Sequence, residues 1–208
     1  MIASLATVEG REKQCAIVER SLRSQCRTFV WKVAVDGRTD DSRKFCVDWK
    51  LHNYSGYILT CDDDLHYPAD YAEYMVKKCA KYGCPVSLMG RVVTNASKSY
   101  YRDKGAVRKI DWRDSTAPDE RVHIGGTGVF CFHTDCVRFD ISDFPYENMA
   151  DIHVGVKLNR LGIPIMRVAP PKRDWIKYLE VPDTIYDRHR NDDRVQTALV
   201  NKQEWSEL

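Results

Sequence analysis

The chain predicts an α/β fold, a mainly parallel sheet flanked by helices, and three observations predict it. The run Tyr57-Ile58-Leu59-Thr60-Cys61 is short, apolar and rich in β-formers, as a strand buried on both faces reads. It breaks off into Asp62-Asp63-Asp64, so an acidic cluster stands at the carboxyl end of a strand, where open α/β sheets gather their ligands. Residues 2–35 read as strand, amphipathic helix and strand, which favours parallel pairing through a right-handed crossover.

Each element has its own justification. Residues 2–6 form an apolar first strand, left by the loop Thr7-Val8-Glu9-Gly10-Arg11. Cys15, Val18, Leu22 and Cys26 recur at gaps of three and four, one face of a helix. Residues 28–35 are β-rich, and Asp36-Gly37-Arg38-Thr39-Asp40-Asp41 is a turn-rich loop after them. Asp41 or Ser42 can cap a short helix that puts Phe45 and Trp49 on one face. Beyond the acidic cluster, Pro68 takes a first helical position with Asp70 in the first turn. Ala72, Met75, Val76 and Cys79 make that helix's apolar face, and Gly83 ends it.

Residues 85–93 predict another strand. Residues 94–120 turn polar and irregular around a β-like patch at 106–112, an insertion of the functional-loop kind. His123-Ile124-Gly125-Gly126-Thr127-Gly128 leads into a strand, its glycines letting backbone approach a ligand closely. Asn148 can cap a helix from about 149 to 161, closed by Gly162, with Asp151 in its first turn. Residues 163–168 read as a last core strand. A C-terminal tail, about 170–208, carries the charged run Tyr186-Asp187-Arg188-His189-Arg190-Asn191-Asp192-Asp193 before a final helix.

At 208 residues, 43% hydrophobic and 30% charged, the chain reads as a single globular domain, 1–208. A net charge of +2 is too small to argue for a nucleic-acid partner. No apolar run nears the roughly 20 residues of a membrane span. No basic and apolar leader opens the chain either, so the expectation is a cytoplasmic protein whose eight cysteines are reduced. Cys79/Cys84 and Cys131/Cys136 repeat one gap but lack the two-residue spacing of a zinc knuckle.

Three adjacent carboxylates repel one another, and a divalent cation removes that repulsion. Oxygen donors that leave room for waters and phosphates suit Mn²⁺ or Mg²⁺. The bland reading of such a triplet is a solvated acidic turn. Here the strand before it and the helix after it favour a metal site.

Asp62-Asp63-Asp64 also matches the Asp-X-Asp element of the nucleotide-sugar glycosyltransferases of the GT-A fold, a Rossmann-like architecture. The likeness continues in order along the chain. Ser4-Leu5-Ala6-Thr7-Val8-Glu9-Gly10-Arg11-Glu12 resembles the first-strand loop of a family 2-like subgroup of bacteria and phages. Asp41-Ser42-Arg43-Lys44-Phe45 resembles its Asp-X-X-Lys-Phe element, and residues 62–70 its Asp-Asp-Asp-hydrophobic-X-Tyr-Pro-X-Asp signature. Gly126-Thr127-Gly128, Asn148-Met149-Ala150-Asp151 and Gln196-Thr197 follow in matching order. One departure is Ala150-Asp151, where classical family 2 members carry Glu-Asp.

The resemblance implies metal-dependent transfer from a nucleoside-diphosphate sugar, a UDP-sugar first, to an acceptor hydroxyl. The acceptor is a glycan or a hydroxymethylated DNA base, and the setting the cytoplasm of a bacterium or phage-infected host. Asp64 is the primary metal ligand, with Asp62 toward ribose or metal and His189 as a third ligand. Thr7, Arg11, Asp36, Lys44, Asp62 and Asp63 serve the nucleotide, and Gly126 and Thr127 the sugar pocket. Asp151 is the general base, which implies inversion at the anomeric carbon. Each has an ordinary alternative. Arg11 and Lys44 can be surface charge, Asp151 a helix-start carboxylate, the glycine loop a tight turn, and a lone histidine no ligand at all.

Two competing functions stand beside this one. A phosphatase built on strand-end aspartates, with Asp192-Asp193 as a later pair, would want its nucleophile after the first strand rather than the third. A sugar-nucleotide binding module would use the same loops without turnover. For the acceptor, Tyr100, Tyr101, Arg102, Lys104, Arg108 and Lys109 interleave basic and aromatic side chains in the 94–120 insertion.

Overall fold

A computed structural model describes residues 1–7, 10–26, 28–32, 40–45, 54–181, 184–185 and 191–208. The buried apolar runs of the N-terminal half lie side by side in it. β1 (Ile2–Ala6), β2 (Thr28–Lys32) and β3 (Tyr57–Asp62) are ordered β2-β1-β3 and all parallel, with α1 (Glu12–Arg23) between the first two in sequence. After the acidic cluster come β4 (Leu65–His66), α2 (Tyr71–Tyr82), β5 (Val86–Ser87), β6 (Gly90–Val93), β7 (Val107–Ile110), β8 (Glu120–Val122) and β9 (Ile124–Gly125). The chain continues through β10 (Val129–His133), α3 (Ala150–Arg160), β11 (Ile165–Arg167), β12 (Lys177–Tyr178) and α4 (Arg194–Asn201).

Among the described residues the main sheet has seven strands in the order β2-β1-β3-β10-β5-β11-β8. It is mixed, not mainly parallel: β10 runs antiparallel to both β3 and β5, and β8 antiparallel to β11. The reason is local. Only the turn at residues 126–128 separates β9 from β10, and Val129 at its exit pairs with Cys61 at the cleft end of β3. With no crossover to carry the chain back, β10 must run the opposite way.

Period-two alternation distributes the strands between two cores. Leu59, Cys61, Val129 and Cys131 pack with Cys15, Val18 and Leu22 of α1 and Ala72, Met75 and Cys79 of α2. Ile58, Phe130 and Phe132 point the other way, against Phe45, Phe139, Phe144 and the Ala150, Val154 and Leu158 stripe of α3. Helices therefore cover both faces. The seven described cysteines are free thiols. Among the described residues no helix is long and apolar enough to cross a membrane.

Several boundaries differ from expectation for identifiable reasons. The predicted strand at 85–93 is two strands in two sheets, because β6 leaves to pair with β7 and β9 in a three-stranded sheet. Pro68 does not open α2; its carbonyl accepts from Tyr71 N–H at 3.1 Å and the helix starts there, while Gly83, at φ 64°, ends it as expected. Asn148 does not cap α3 but adopts φ 59°, and α3 begins at Ala150. The turn Asp41–Lys44 is a single 3-10 turn capped by Asp40, whose carboxylate accepts from Ser42 N–H. Trp49 lies outside the described residues.

Candidate active site

A cleft of about 1060 Å³ opens at the carboxyl ends of β1 and β3. Thr7, Arg11, Lys44, Asp62, Asp63, Asp64, Gly126, Thr127 and Asp151 all line it. Asp36 and His189 lie outside the described residues. The 94–120 insertion adds Tyr101, Lys109, Asp111, Trp112 and Arg113 to the wall.

The three aspartates have different surroundings. Asp62 is the last residue of β3, and its Oδ1 receives Lys44 Nζ at 2.5 Å. Burial alone would lower the Lys44 pKa, but Asp62 and Asp41 together outweigh it and raise it. Asp63 is buried and accepts from Thr7 Oγ1 at 2.8 Å and from Arg11 Nη1 at 2.9 Å. Its carboxylate thus ties the first-strand loop to the acidic turn. Asp64 has no ion-pair partner among the described residues. Burial, then the charges of Asp62 and Asp63, push its pKa up to about 7 against a smaller pull from Lys44. A cation beside it would reverse that penalty.

Among the described residues no three His, Cys, Asp or Glu side chains converge on one point. The donor set still fits Mg²⁺ or Mn²⁺, which take one or two carboxylates and complete their shell with phosphate and water oxygens. Asp64 and Oδ2 of Asp62 are the groups that would hold it, since Oδ1 of Asp62 and both oxygens of Asp63 are engaged.

The glycine loop is pinned by its carbonyls. Thr60 Oγ1 donates to Thr127 O at 2.6 Å, Ser87 Oγ to Gly126 O at 2.9 Å and Tyr67 Oη to Gly128 O at 2.6 Å. Tyr67 Oη also accepts from Asp62 N–H at 2.8 Å, so one buried phenol joins the end of β3 to the loop. A Cβ at Gly128 would stand 1.9 Å from Oδ2 of Asp62, and one at Gly126 would stand 2.6 Å from Cε of Met89. These glycines make room for the chain's own side chains.

Asp151 sits in the first turn of α3. Tyr100 Oη donates to its Oδ2 at 2.9 Å, and Ile152 N–H to its Oδ1 at 2.9 Å. Nearby, Asp41 Oδ2 accepts from Ala150 N–H at 3.3 Å, while its Oδ1 is sealed from solvent and has no hydrogen-bond partner. Burial, with Asp151, Asp40 and Asp62 adding to it, lifts the Asp41 pKa to about 7 against Lys44.

Sequence reasoning missed this role of Asp41, because its contact with α3 spans 109 positions. It also missed Arg91, which lines the cleft from β6 and reads in sequence as an ordinary strand residue. No protein-family model matches the chain, and no curated protein matches it.

Proposed function

We propose that the protein is a metal-dependent glycosyltransferase of GT-A type, moving a sugar from a nucleoside-diphosphate sugar to an acceptor hydroxyl. A UDP-sugar is the first donor to try, and a glycan or hydroxymethylated DNA base the acceptor. One observation carries the reading. Residues named from short motifs scattered between positions 7 and 151 meet in one cavity at the strand ends.

Held by Asp64 and Asp62, Mn²⁺ or Mg²⁺ would supply Lewis-acid stabilisation of the departing diphosphate. Lys44, fixed by Asp62, adds a second positive charge to that region. Arg11, fixed by Asp63, adds a third. Asp151 takes the acceptor's proton. Tyr100 and the Ile152 N–H hold its carboxylate still, so positioning supplies much of its effect. A base opposite the leaving group inverts the anomeric carbon. The phosphatase alternative finds no support at the end of β1, where Thr7 stands in the nucleophile's place.

A thermal-shift panel of UDP-, GDP-, CDP- and dTDP-sugars, with and without Mn²⁺, tests the reading on wild type and Asp64→Ala. A ligand at about 100 times its Kd raises the melting temperature of a domain this size by roughly 5–10 °C. The expected result is one nucleotide whose shift needs Mn²⁺ and disappears in the variant. No shift with any nucleotide, in folded protein, would overturn it, and binding without sugar turnover would leave a binding module.

A further inference from the structure

Arg91 is a buried cation with no carboxylate within ion-pair distance among the described residues. It is 8% exposed, lines the cleft, and lies 4.4 Å from the ring centroid of Tyr100 and 5.4 Å from that of Tyr101. Its one side-chain hydrogen bond among the described residues is a long one, Nη1 to Tyr100 O at 3.4 Å. No carboxylate comes within ion-pair distance of it there. A guanidinium carries five donors in a fixed fork, and a buried charge without a partner is costly. None of its nitrogens is both sealed from solvent and unpartnered, and the residue itself lines the cleft.

A second observation points the same way. The antiparallel register of β6 and β7 sets Arg91 directly opposite Lys109, and both line the cleft. Like charges directly opposite on neighbouring strands destabilise a sheet. Asp111 answers Lys109 at 3.2 Å; Arg91 has no such answer. Position completes the case, since the Tyr100 ring that stacks on Arg91 also donates to Asp151. The open guanidinium is one ring away from the proposed base and separate from the Asp62–Lys44 pair.

We infer that Arg91 and Lys109 form a subsite for an oxyanion carried by the acceptor, a carboxylate or phosphate group held in the guanidinium fork. Both groups offer paired oxygens to that fork, which is why arginine recurs where they are recognised. The acceptor is then an acidic or phosphorylated sugar, and neutral sugars bind poorly. The word acceptor rests on the transferase reading; the anion subsite does not.

Calorimetric titration of glucuronate, glucose 6-phosphate and glucose into wild type, Arg91→Gln and Lys109→Ala tests this, with UDP titrated into the same proteins. One of the anionic sugars should bind wild type at least about tenfold more tightly than glucose, the scale of a bidentate charge-assisted pair. That advantage should vanish in Arg91→Gln and shrink in Lys109→Ala, with UDP binding unchanged. Preference for glucuronate names a carboxylate, and preference for glucose 6-phosphate a phosphate. Equal affinity for all three sugars overturns the inference, as does an anion preference that survives Arg91→Gln. Loss of UDP binding in step with the anion also overturns it, because the arginine then serves the donor. Should Arg91→Gln not fold, the wild-type preference and its response to Lys109→Ala decide. Anion preference without any UDP binding sinks the transferase reading and leaves the subsite standing.

Discussion

A Cβ at position 128 would lie 1.9 Å from Oδ2 and 2.4 Å from Cγ of Asp62. Gly128→Ala therefore forces Asp62 to turn away, and Lys44, 1% exposed, loses its nearest carboxylate. Breaking a fully buried ion pair costs about 3–5 kcal/mol. With the Asp62 side chain 40% exposed, a loss on the order of 2–3 kcal/mol is expected, because solvent screens part of the pair. Urea denaturation of the variant measures it, and wild-type stability with unchanged Mn²⁺ response would show that Asp62 does not need the space. The triplet was legible from its place at a strand end. Its division of labour was not, because Thr7, Arg11 and Lys44 reach it from other segments. Asp41 was legible only as a turn residue, and the helix N–H it accepts belongs to α3.

At the scale of elements, α4 clamps the insertion that carries Tyr100. Asp193, just before the helix, accepts from Ser99 Oγ at 2.6 Å and from Tyr101 N–H at 2.8 Å. Thr197 Oγ1 accepts from Tyr100 N–H at 2.9 Å, and Asn201 exchanges two 2.8 Å bonds with the Ser97 backbone. Asp193 is 4% exposed, so Asp193→Ala leaves Ser99 Oγ, Tyr101 N–H and Thr197 Oγ1 without their acceptor. The cost should be about 2–4 kcal/mol. Sugar transfer should fall further than stability does, because Tyr100 holds Asp151; full turnover in a destabilised variant would uncouple the two. The sequence showed the first three strands, three of the four described helices to within a few residues, the fourth as a helix after Asp193 without bounds, and residues 94–120 as a largely irregular insertion. The clamp was hidden because its partners stand about 100 positions apart. The mixed sheet was hidden for a different reason. An apolar run such as β10 reads alike in either direction, and only its turn-length link to β9 fixes which way it runs.

Over the whole molecule, the cleft carboxyls set the pH dependence of folding. Asp41 and Asp64 both have pKa values raised from 3.8 to about 7. Between those limits the folded state holds protons that the unfolded chain has released, so stability is fully present below about 4 and declines as pH rises toward 7. Asp111 and Asp119 have lowered values, Asp119 despite burial because Lys78 and Tyr82 hold its carboxylate; these two stabilise only above their own folded pKa values, at the acid end. His123, lowered by burial, works against the decline below its ordinary 6.5, but it is one group against two. The metal-free protein should therefore be most stable in mild acid, near pH 4–5, and lose stability toward neutrality. Asp41→Asn keeps an acceptor for the Ala150 N–H and removes one of the two titrations, so its curve should be flatter. Mn²⁺ acts in the opposite sense, because it requires the ionised carboxylate and its stabilisation grows as pH rises. Melting temperatures of wild type and Asp41→Asn across this range, with and without Mn²⁺, check all three slopes. A metal-free wild type whose stability stays level or climbs from pH 4 to 7, and which Asp41→Asn does not alter, would mean that both carboxyls ionise normally.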